Sequence, residues 1–122
     1  MNFNLTEEQL LVQKTAREFA LAELVPGAIE RDEKKIWPRE AIQNMGELGF
    51  MGMMVSDKYG GGGMDAVSYA LAMEEISKAD ASASVVMSVN NSLVCYLLEK
   101  FAGEELKQKY LIPLAKGEKL GA

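Results

Sequence analysis

A stretch of 18 residues without a charged side chain, Ala81 to Leu98, dominates the second half of the sequence. A helix that is uncharged on every side is normally buried on every side, so we expect this segment to lie at the centre of the fold or to be covered by another domain. Its length would be enough to span a bilayer, but serine and asparagine residues interrupt it. They are Ser82, Ser84, Ser88, Asn90, Asn91 and Ser92. A helix buried in protein therefore fits this segment better than a membrane span.

Amphipathic patterns before and after this stretch predict further helices. Thr6 and Gln9 fit a capping box at the start of a first helix, and Pro26 with Gly27 ends or kinks that helix. Further helical segments are predicted at 28–35, from Pro38 to Gly49, from Asp65 to about Lys78, from Ala81 to about Phe101 and from Glu104 to Tyr110. We therefore predict an all-α fold, an orthogonal or up-down bundle of about five to six helices, in a single domain over residues 1–122.

Three other segments are predicted to be non-helical. The run from Phe50 to Val55 is apolar and rich in methionine, and we interpret it as buried irregular chain. The glycines at 60–63 indicate a permissive turn more strongly than a close approach to a ligand, because no strand precedes them. Leu120-Gly121-Ala122 has the pattern of an apolar strand that begins there, which suggests a chain truncated at a domain border.

The residue types that the sequence lacks exclude several kinds of active site. There is no histidine and only one cysteine, Cys95, which excludes a histidine base, a catalytic triad and a zinc site. The net charge of −5 argues against nucleic acid and against an anionic membrane as partners. Adjacent Glu74 and Glu75 would point about 100° apart on a helix. A salt bridge or a solvated face is therefore favoured over a catalytic pair of carboxylates.

Two stripes run along the predicted fifth helix, one of small polar residues and one of apolar residues. The first consists of Ser84, Ser88 and Ser92 with Asn91 beside them, and the second of Val85, Val89, Leu93 and Tyr96. Close helix packing would explain the first stripe, with hydroxyls bonded back to the preceding turn. A wall of a ligand cavity would explain it too, because small side chains leave room. The pattern alone favours packing and leaves both interpretations open.

Seven short motifs follow one another along the chain and together cover most of it. They are Leu5-Thr6-Glu7-Glu8-Gln9, Ala16-Arg17-Glu18-Phe19-Ala20, Glu47-Leu48-Gly49-Phe50, Tyr59-Gly60-Gly61-Gly62-Gly63-Met64, Glu74-Glu75-Ile76, Gln108-Lys109-Tyr110-Leu111-Ile112-Pro113-Leu114 and Gly117-Glu118-Lys119-Leu120-Gly121-Ala122. In this order they resemble the N-terminal helical domain of the acyl-CoA dehydrogenases. The segment Met87-Ser88-Val89-Asn90-Asn91-Ser92-Leu93 is similar to the short-chain, butyryl-type branch of that family.

The resemblance implies a subunit of three domains, in which this helical domain precedes a middle β domain and a C-terminal four-helix domain. FAD would lie mainly between the other two domains, and a carboxylate base, usually in the C-terminal domain, would remove the α proton of an acyl-CoA. The β hydrogen would leave as hydride to the flavin, giving a trans-2-enoyl-CoA. The chain would end just before the first flavin-contacting segment. We therefore assign no catalytic, FAD-binding or metal-binding residue here.

Two sets of site residues follow from the resemblance. Val85, Val86, Val89 and Leu93 would form the deep end of the acyl pocket, where branched side chains would favour acyl chains of about four carbons. Val12, Phe19, Leu48, Phe50 and Met64 would form part of the surface on which electron-transfer flavoprotein docks. Residues of the second set could equally be core residues of the domain. The full-length enzyme would be a homotetramer in the bacterial cytoplasm or the mitochondrial matrix.

Other functions remain open at this point. Within the same family, the parent enzyme could prefer longer or branched acyl chains, or pass its electrons to oxygen as an oxidase does. From a different class, the chain could be a stand-alone helical binding module that has kept the domain and lost the chemistry. The length of the natural reading frame separates the enzyme from the binding module.

Overall fold

The computed structural model describes all 122 residues and contains six helices and no β-strand. The helices are α1 (Glu7–Phe19, continued by a π-helical segment, Ala20–Leu24), α2 (Ala28–Lys34), α3 (Arg39–Glu47), α4 (Ala66–Ala79), α5 (Ala81–Ser88, π-helical Val89–Cys95, Tyr96–Phe101) and α6 (Glu104–Leu106, π-helical Lys107–Leu111, Ile112–Ala115). A short 3-10 turn covers Asp57–Tyr59. The predicted all-α class with five to six helices is confirmed.

Capping side chains account for the starts of α1 and α4. The Thr6 hydroxyl accepts from the Gln9 backbone N–H at 3.2 Å, and the Gln9 side-chain oxygen accepts from the Thr6 N–H at 3.0 Å, which completes the predicted capping box. Asp65 accepts from the Ser68 N–H at 2.7 Å and so caps α4. Gln9 also donates to the Asp65 carboxylate at 2.9 Å, so the two helix starts are tied together.

The main core lies between α1, α3, α4, the start of α5 and the irregular segment that follows α3. Its largest fully buried side chains come from all of these elements: Leu24, Met45, Met51, Met53, Ile76 and Met87. Burying one such side chain stabilises the fold by roughly 1.5–3 kcal/mol. A second, smaller core between α5, α6 and the segment 55–59 contains Val55, Tyr59, Cys95, Leu111, Leu114 and Ala115.

The segment Phe50–Val55 is irregular and largely buried, as the sequence predicted. It packs directly against the end of α6. A Cβ added at Gly52 would lie 2.6 Å from the carbonyl oxygen of Ala115. Only glycine permits this close approach of two backbones, and the approach fixes the irregular segment against α6.

The carboxylate pair on α4 has the structural role that the sequence favoured. Glu75 is buried, and Arg17 donates to its two oxygens at 2.9 Å and 3.2 Å. The hydrogen bond from Arg17 lowers the pKa of Glu75 below its usual value. Lys78 lies 3.0 Å from Glu74 and also contacts Glu75. The prediction of a salt bridge is confirmed.

Three local predictions were wrong. α6 does not end at Tyr110 but continues to Ala115 with Pro113 inside it, because the wide π-helical turn before Pro113 relieves the clash that a proline ring meets in an α-helix. Pro38 precedes the first turn of α3 and does not belong to it. Leu120-Gly121-Ala122 forms no strand, since the Gly121 N–H bonds to the side chain of Asn90 at 2.9 Å.

α5 does not lie at the centre of the domain, which was the first of the two alternatives predicted for it. Only one side of this helix is buried, and the apolar side chains of the other side face solvent. Its length and a mean hydropathy of 1.4 would suit a membrane span by composition, and a third of that window is buried in the domain. The second alternative, that another domain covers the helix, stays a prediction.

Candidate functional site

An apolar stripe follows the solvent-facing side of α5. It consists of five side chains at strict four-residue spacing: Val85, Val89, Leu93, Leu97 and Phe101. Four of them are exposed, from 47% at Leu97 to 71% at Phe101, and Val89 is half-buried. We call these five residues the α5 stripe. An apolar row of this length on a folded domain is unusual enough to mark a binding or packing surface.

The buried side of α5 has the same four-residue spacing. Ala83, Met87, Asn91 and Cys95 are all fully or almost fully buried. In an ordinary α-helix a step of four residues overshoots one turn by about 40°, so rows of this kind would wind around the helix. The π-helical segment Val89–Cys95 has wider turns, which reduces the overshoot within that segment. The row of Ala83, Met87, Asn91 and Cys95 is buried over its whole length, whereas the α5 stripe is exposed or half-buried over its whole length.

Asn91 joins α5 to the irregular segment through three hydrogen bonds. Its amide nitrogen donates to the carbonyl of Phe50 at 2.7 Å and to that of Met87 at 2.9 Å. Its amide oxygen accepts from the backbone N–H of Met53 at 2.8 Å. All of these atoms are buried, so the side chain acts as a polar bridge inside the core, and its hydrogen-bonding groups are satisfied.

Asn90 joins α5 to two further segments. Its amide nitrogen donates to the carbonyl of Met51 at 2.7 Å and to that of Leu114 at 3.0 Å. Its oxygen accepts from the N–H of Gly121 at 2.9 Å. Both asparagines were predicted only as polar interruptions of the helix, and this anchoring role was not predicted. The sequence signal for it was a pair of adjacent amides in a segment without charge.

Two of the three stripe serines bond back to the preceding turn as predicted, but only Ser84 is buried and Ser92 is exposed. Ser84 and Ser92 each donate to a backbone carbonyl of the preceding turn, of Ala81 and Ser88 respectively, at 2.7 Å in both cases. Hydroxyls bonded in this way are satisfied without a ligand.

A largely buried ion pair holds the start of α5. Asp80 caps the helix by accepting from the Ala83 N–H at 3.1 Å, and its second oxygen accepts from Arg31 at 2.8 Å. Arg31 also donates to the backbone carbonyls of Leu24 and Pro26. The start of α5 is thereby fixed to the end of α1. The sequence analysis did not identify this pair, because its members are 49 residues apart.

An open apolar groove of about 540 Å³ continues from the stripe towards α6. Its lining consists of Leu93, Val94, Leu97, Leu98, Tyr110, Leu114 and Ala122. Only Tyr110 carries a polar side-chain atom, so the groove offers no set of donors for phosphate or for the edge of a flavin ring.

Ionisable groups do not gather into a reactive centre. No three histidine, cysteine, aspartate or glutamate side chains lie close enough together to hold a metal ion. Burial raises the pKa of the Cys95 thiol to about 12. The thiol is therefore protonated at neutral pH and is a weak nucleophile.

Of the five residues predicted for partner docking, three belong to the core and two reach the surface. Val12, Phe19 and Phe50 are buried, and the rings of the two phenylalanines meet edge to face at 6.0 Å between centroids. Met64 is half-buried against the same core, and Leu48 is 48% exposed. Leu48 and Met64 are therefore the members of this set whose side chains reach the surface.

The residues predicted for the acyl pocket lie together on α5. Val85 and Leu93 are exposed members of the stripe, and Val89 lies between them. Val86 is half-buried against the main core, one position away from the stripe. The structure thus places three of the four residues on one exposed row.

The chain is similar over most of its length to known proteins. Residues 6–118 match the family model for "Acyl-CoA dehydrogenase, N-terminal domain". The chain is 49% identical over all 122 residues to the short-chain specific acyl-CoA dehydrogenase of Clostridium acetobutylicum, and covers 32% of that protein. It is 42% identical over 117 residues to the human mitochondrial short-chain specific enzyme, covering 96% of this chain and 28% of the human one.

A solved structure shows the same fold. The butyryl-CoA dehydrogenase of Megasphaera elsdenii superimposes with a TM-score of 0.92 and 41% identity, over 100% of this chain and 33% of that chain. The chain thus spans about a third of the length of the relatives that it matches.

Proposed function

The chain belongs to the acyl-CoA dehydrogenase family, as an N-terminal helical domain, and from this premise we propose that its α5 stripe forms the deep wall of the acyl pocket in a short-chain acyl-CoA dehydrogenase. The whole enzyme would oxidise short-chain acyl-CoA to trans-2-enoyl-CoA with FAD as its cofactor. The catalytic base and the flavin site would lie outside this domain.

The exposed α5 stripe is the observation that carries this proposal. Its side chains are aliphatic or aromatic, they face outward, and no segment of the domain covers them. Burying such a row against an acyl chain and neighbouring domains removes apolar surface from water, which favours binding by about 25 cal/mol per Å². A hydrocarbon chain needs no hydrogen-bonding partner, and the stripe provides none.

The size of the stripe residues supports a preference for short acyl chains. Val85 and Val89 are branched at Cβ and are stiff at χ1, and Leu93 fills the next position of the row. Rigid branched side chains leave less depth than glycine or alanine would. Each methylene that such a wall admits or excludes is worth about 1–3 kcal/mol of discrimination.

Shortening Val89 to alanine tests the pocket directly. In the full-length enzyme, we expect Val89→Ala to raise kcat/KM for an eight-carbon acyl-CoA relative to a four-carbon one by about tenfold, because two methyl groups leave the wall. Alanine keeps the helix intact. The measurement is the ratio of the two kcat/KM values. Val67→Ala, at an exposed valine on α4, is the matched control and leaves the ratio unchanged. An unchanged ratio in Val89→Ala would reject the pocket assignment.

For electron transfer, we propose that the surface around Leu48 and Met64 contacts electron-transfer flavoprotein. Leu48 is an exposed apolar side chain beside a glycine with positive φ, Gly49, and Met64 lies over the core that contains Phe19 and Phe50. Apolar anchors of this kind at a protein surface are common in interfaces. The buried members of the predicted set would support these two residues from below.

A charge at Leu48 separates docking from folding. We expect Leu48→Glu to slow electron transfer from the reduced enzyme to electron-transfer flavoprotein at least tenfold, since the carboxylate would lose its water in the interface, and to leave reduction of the flavin by substrate unchanged. Rapid-mixing kinetics measures the two half-reactions separately. Ile29→Glu, at a more exposed apolar residue on α2, is the control. Equal losses in both half-reactions would indicate damage to the fold and contradict a docking role.

We further propose that the full-length enzyme is a homotetramer and that it lies in the bacterial cytoplasm or the mitochondrial matrix. Relatives from a bacterium and from mitochondria support the two alternatives for location. The net charge of −5 supports neither a nucleic-acid partner nor an anionic membrane surface.

A further inference from the structure

We propose that Asn90 and Asn91 are positioning residues, whose buried amides hold the wide turn of α5 and thereby determine where Val89 and Leu93 stand in the acyl pocket. The inference rests on the proposed function of the α5 stripe and adds a specificity role for two residues that do not belong to that stripe. Neither asparagine faces the exposed side of the helix, and both are buried.

The wide turn of α5 is bonded to segments outside the helix. Segments with i→i+5 hydrogen bonds are rare, occur mostly as single turns inside α-helices and are frequent at functional sites. The segment Val89–Cys95 is such a turn, and Asn90 and Asn91 are its second and third residues. The side chains of the two asparagines form six hydrogen bonds with backbone groups, and five of these groups belong to segments outside α5. Lost buried hydrogen bonds are costly, so these bonds oppose any change in the turn.

The two amides act from different directions. Asn91 both donates to the irregular segment, at Phe50, and accepts from it, at Met53. A shift of α5 relative to the irregular segment would have to strain or break these bonds. Asn90 donates to Leu114 at the end of α6 and accepts from Gly121, so it ties the same turn to the C-terminal part of the chain. Together the two amides tie the wide turn to three segments outside α5.

The position of the α5 stripe depends on this anchoring. Val89 is the first residue of the wide turn, and Leu93 lies within it. In an ordinary α-helix the step from Val89 to Leu93 would overshoot one full turn by about 40°. If the wide turn relaxed to that geometry, Leu93 would therefore be displaced around the helix relative to Val89. The depth of the proposed pocket would change although no residue of its wall had been replaced.

The experiment compares substitutions that remove the amides with one that does not. Asn90→Ser and Asn91→Ser in the full-length, flavin-loaded enzyme shorten each side chain so that it no longer reaches its distant carbonyls, without adding charge. The control is Ser92→Ala in the same turn, which removes only a bond to the preceding turn. The readout is the ratio of kcat/KM for four-carbon and eight-carbon acyl-CoA. This ratio does not depend on the fraction of enzyme that is folded, so a loss of stability alone leaves it unchanged.

We expect the ratio to change about tenfold in both asparagine variants and to stay within about twofold in Ser92→Ala. Hydrogen exchange of the α5 amides is expected to speed up in the same two variants, because the wide turn loses its anchors. If Asn91→Ser yields no folded enzyme, Asn90→Ser decides by the same two measurements.

The outcome with Val89→Ala separates this inference from the proposed function. If Val89→Ala changes the ratio and the asparagine variants do not, the positioning role is rejected and the pocket stands. If the asparagine variants change it and Val89→Ala does not, the pocket assignment is rejected, and the positioning role, which acts through Val89, is rejected with it. If none of the three changes it, both proposals are rejected.

Discussion

Replacing Asp80 by alanine is expected to destabilise the domain by about 3–5 kcal/mol, because it leaves the guanidinium of Arg31 buried without its counter-ion. The two side chains are only 10% and 16% exposed and lie 2.8 Å apart. Asp80 is the only acidic side chain that forms an ion pair with Arg31, and the Nε atom of Arg31 is already buried without a hydrogen-bond partner. The same substitution removes the cap of α5, which contributes about 1 kcal/mol within that total. Urea denaturation at neutral pH measures the change.

A second ion pair with the same separation provides the control. Lys34 and Glu30 also lie 2.8 Å apart, but both side chains are mostly exposed. We expect Glu30→Ala to change stability by less than about 0.5 kcal/mol. Adding Arg31→Met to Asp80→Ala is expected to restore part of the loss, because it removes the unpaired charge. Similar losses in the two single variants would show that burial does not determine the strength of the Asp80 pair.

Truncating Phe50 to alanine is expected to cost about 3–5 kcal/mol, the second large effect. Its ring is 4% exposed and meets the ring of Phe19 edge to face. Removing it leaves a cavity between α1 and the irregular segment, which the rigid approach of Gly52 to Ala115 prevents from closing. Thermal or urea unfolding gives the free energy, and Leu48→Ala, two positions away and half-exposed, is the matched control.

The expected instability of Phe50→Ala determines which variant can test the docking of electron-transfer flavoprotein. A variant at Phe50 lowers the amount of folded enzyme, so both half-reactions would fall together and reveal nothing about a partner. Leu48→Glu is therefore the sharper probe of the docking proposal. If Phe50→Ala lowers the free energy of unfolding by less than about 1 kcal/mol, the core role of Phe50 is contradicted and its predicted docking role has to be tested directly.

Local sequence patterns predicted the helices well and the burial of α5 poorly. The capping box at Thr6 and the cap at Asp65 are formed by residues three positions apart, so their signal lies within one turn. The absence of charge from Ala81 to Leu98 reflects every environment that this part of α5 is adapted to. Within these 122 residues only one side of it is buried. Composition alone does not distinguish a side that is buried within this domain from a side that is adapted to another partner.

The anchoring residues were hidden for a different reason. Asn90 bonds to Met51, Leu114 and Gly121, between 24 and 39 residues away along the chain. No local pattern carries that pairing, because a buried amide and a solvated one are the same in sequence. The four-residue spacing on α5, in contrast, is visible in the sequence. Two sets of residues on α5 repeat every four positions, whereas an ordinary helix favours alternating steps of three and four.

The separation of the two sides of α5 has a consequence for how this domain can diversify. Most stripe side chains contact little of their own core, so replacing one changes stability by only a few tenths of a kcal/mol up to about 1 kcal/mol. On the proposed function, the same replacement alters substrate choice by an order of magnitude. Evolution can thus change acyl preference one residue at a time without a compensating mutation in the core. Substitutions on the opposite side of the helix, which carries the two buried amides, cost more stability and are therefore more strongly selected against.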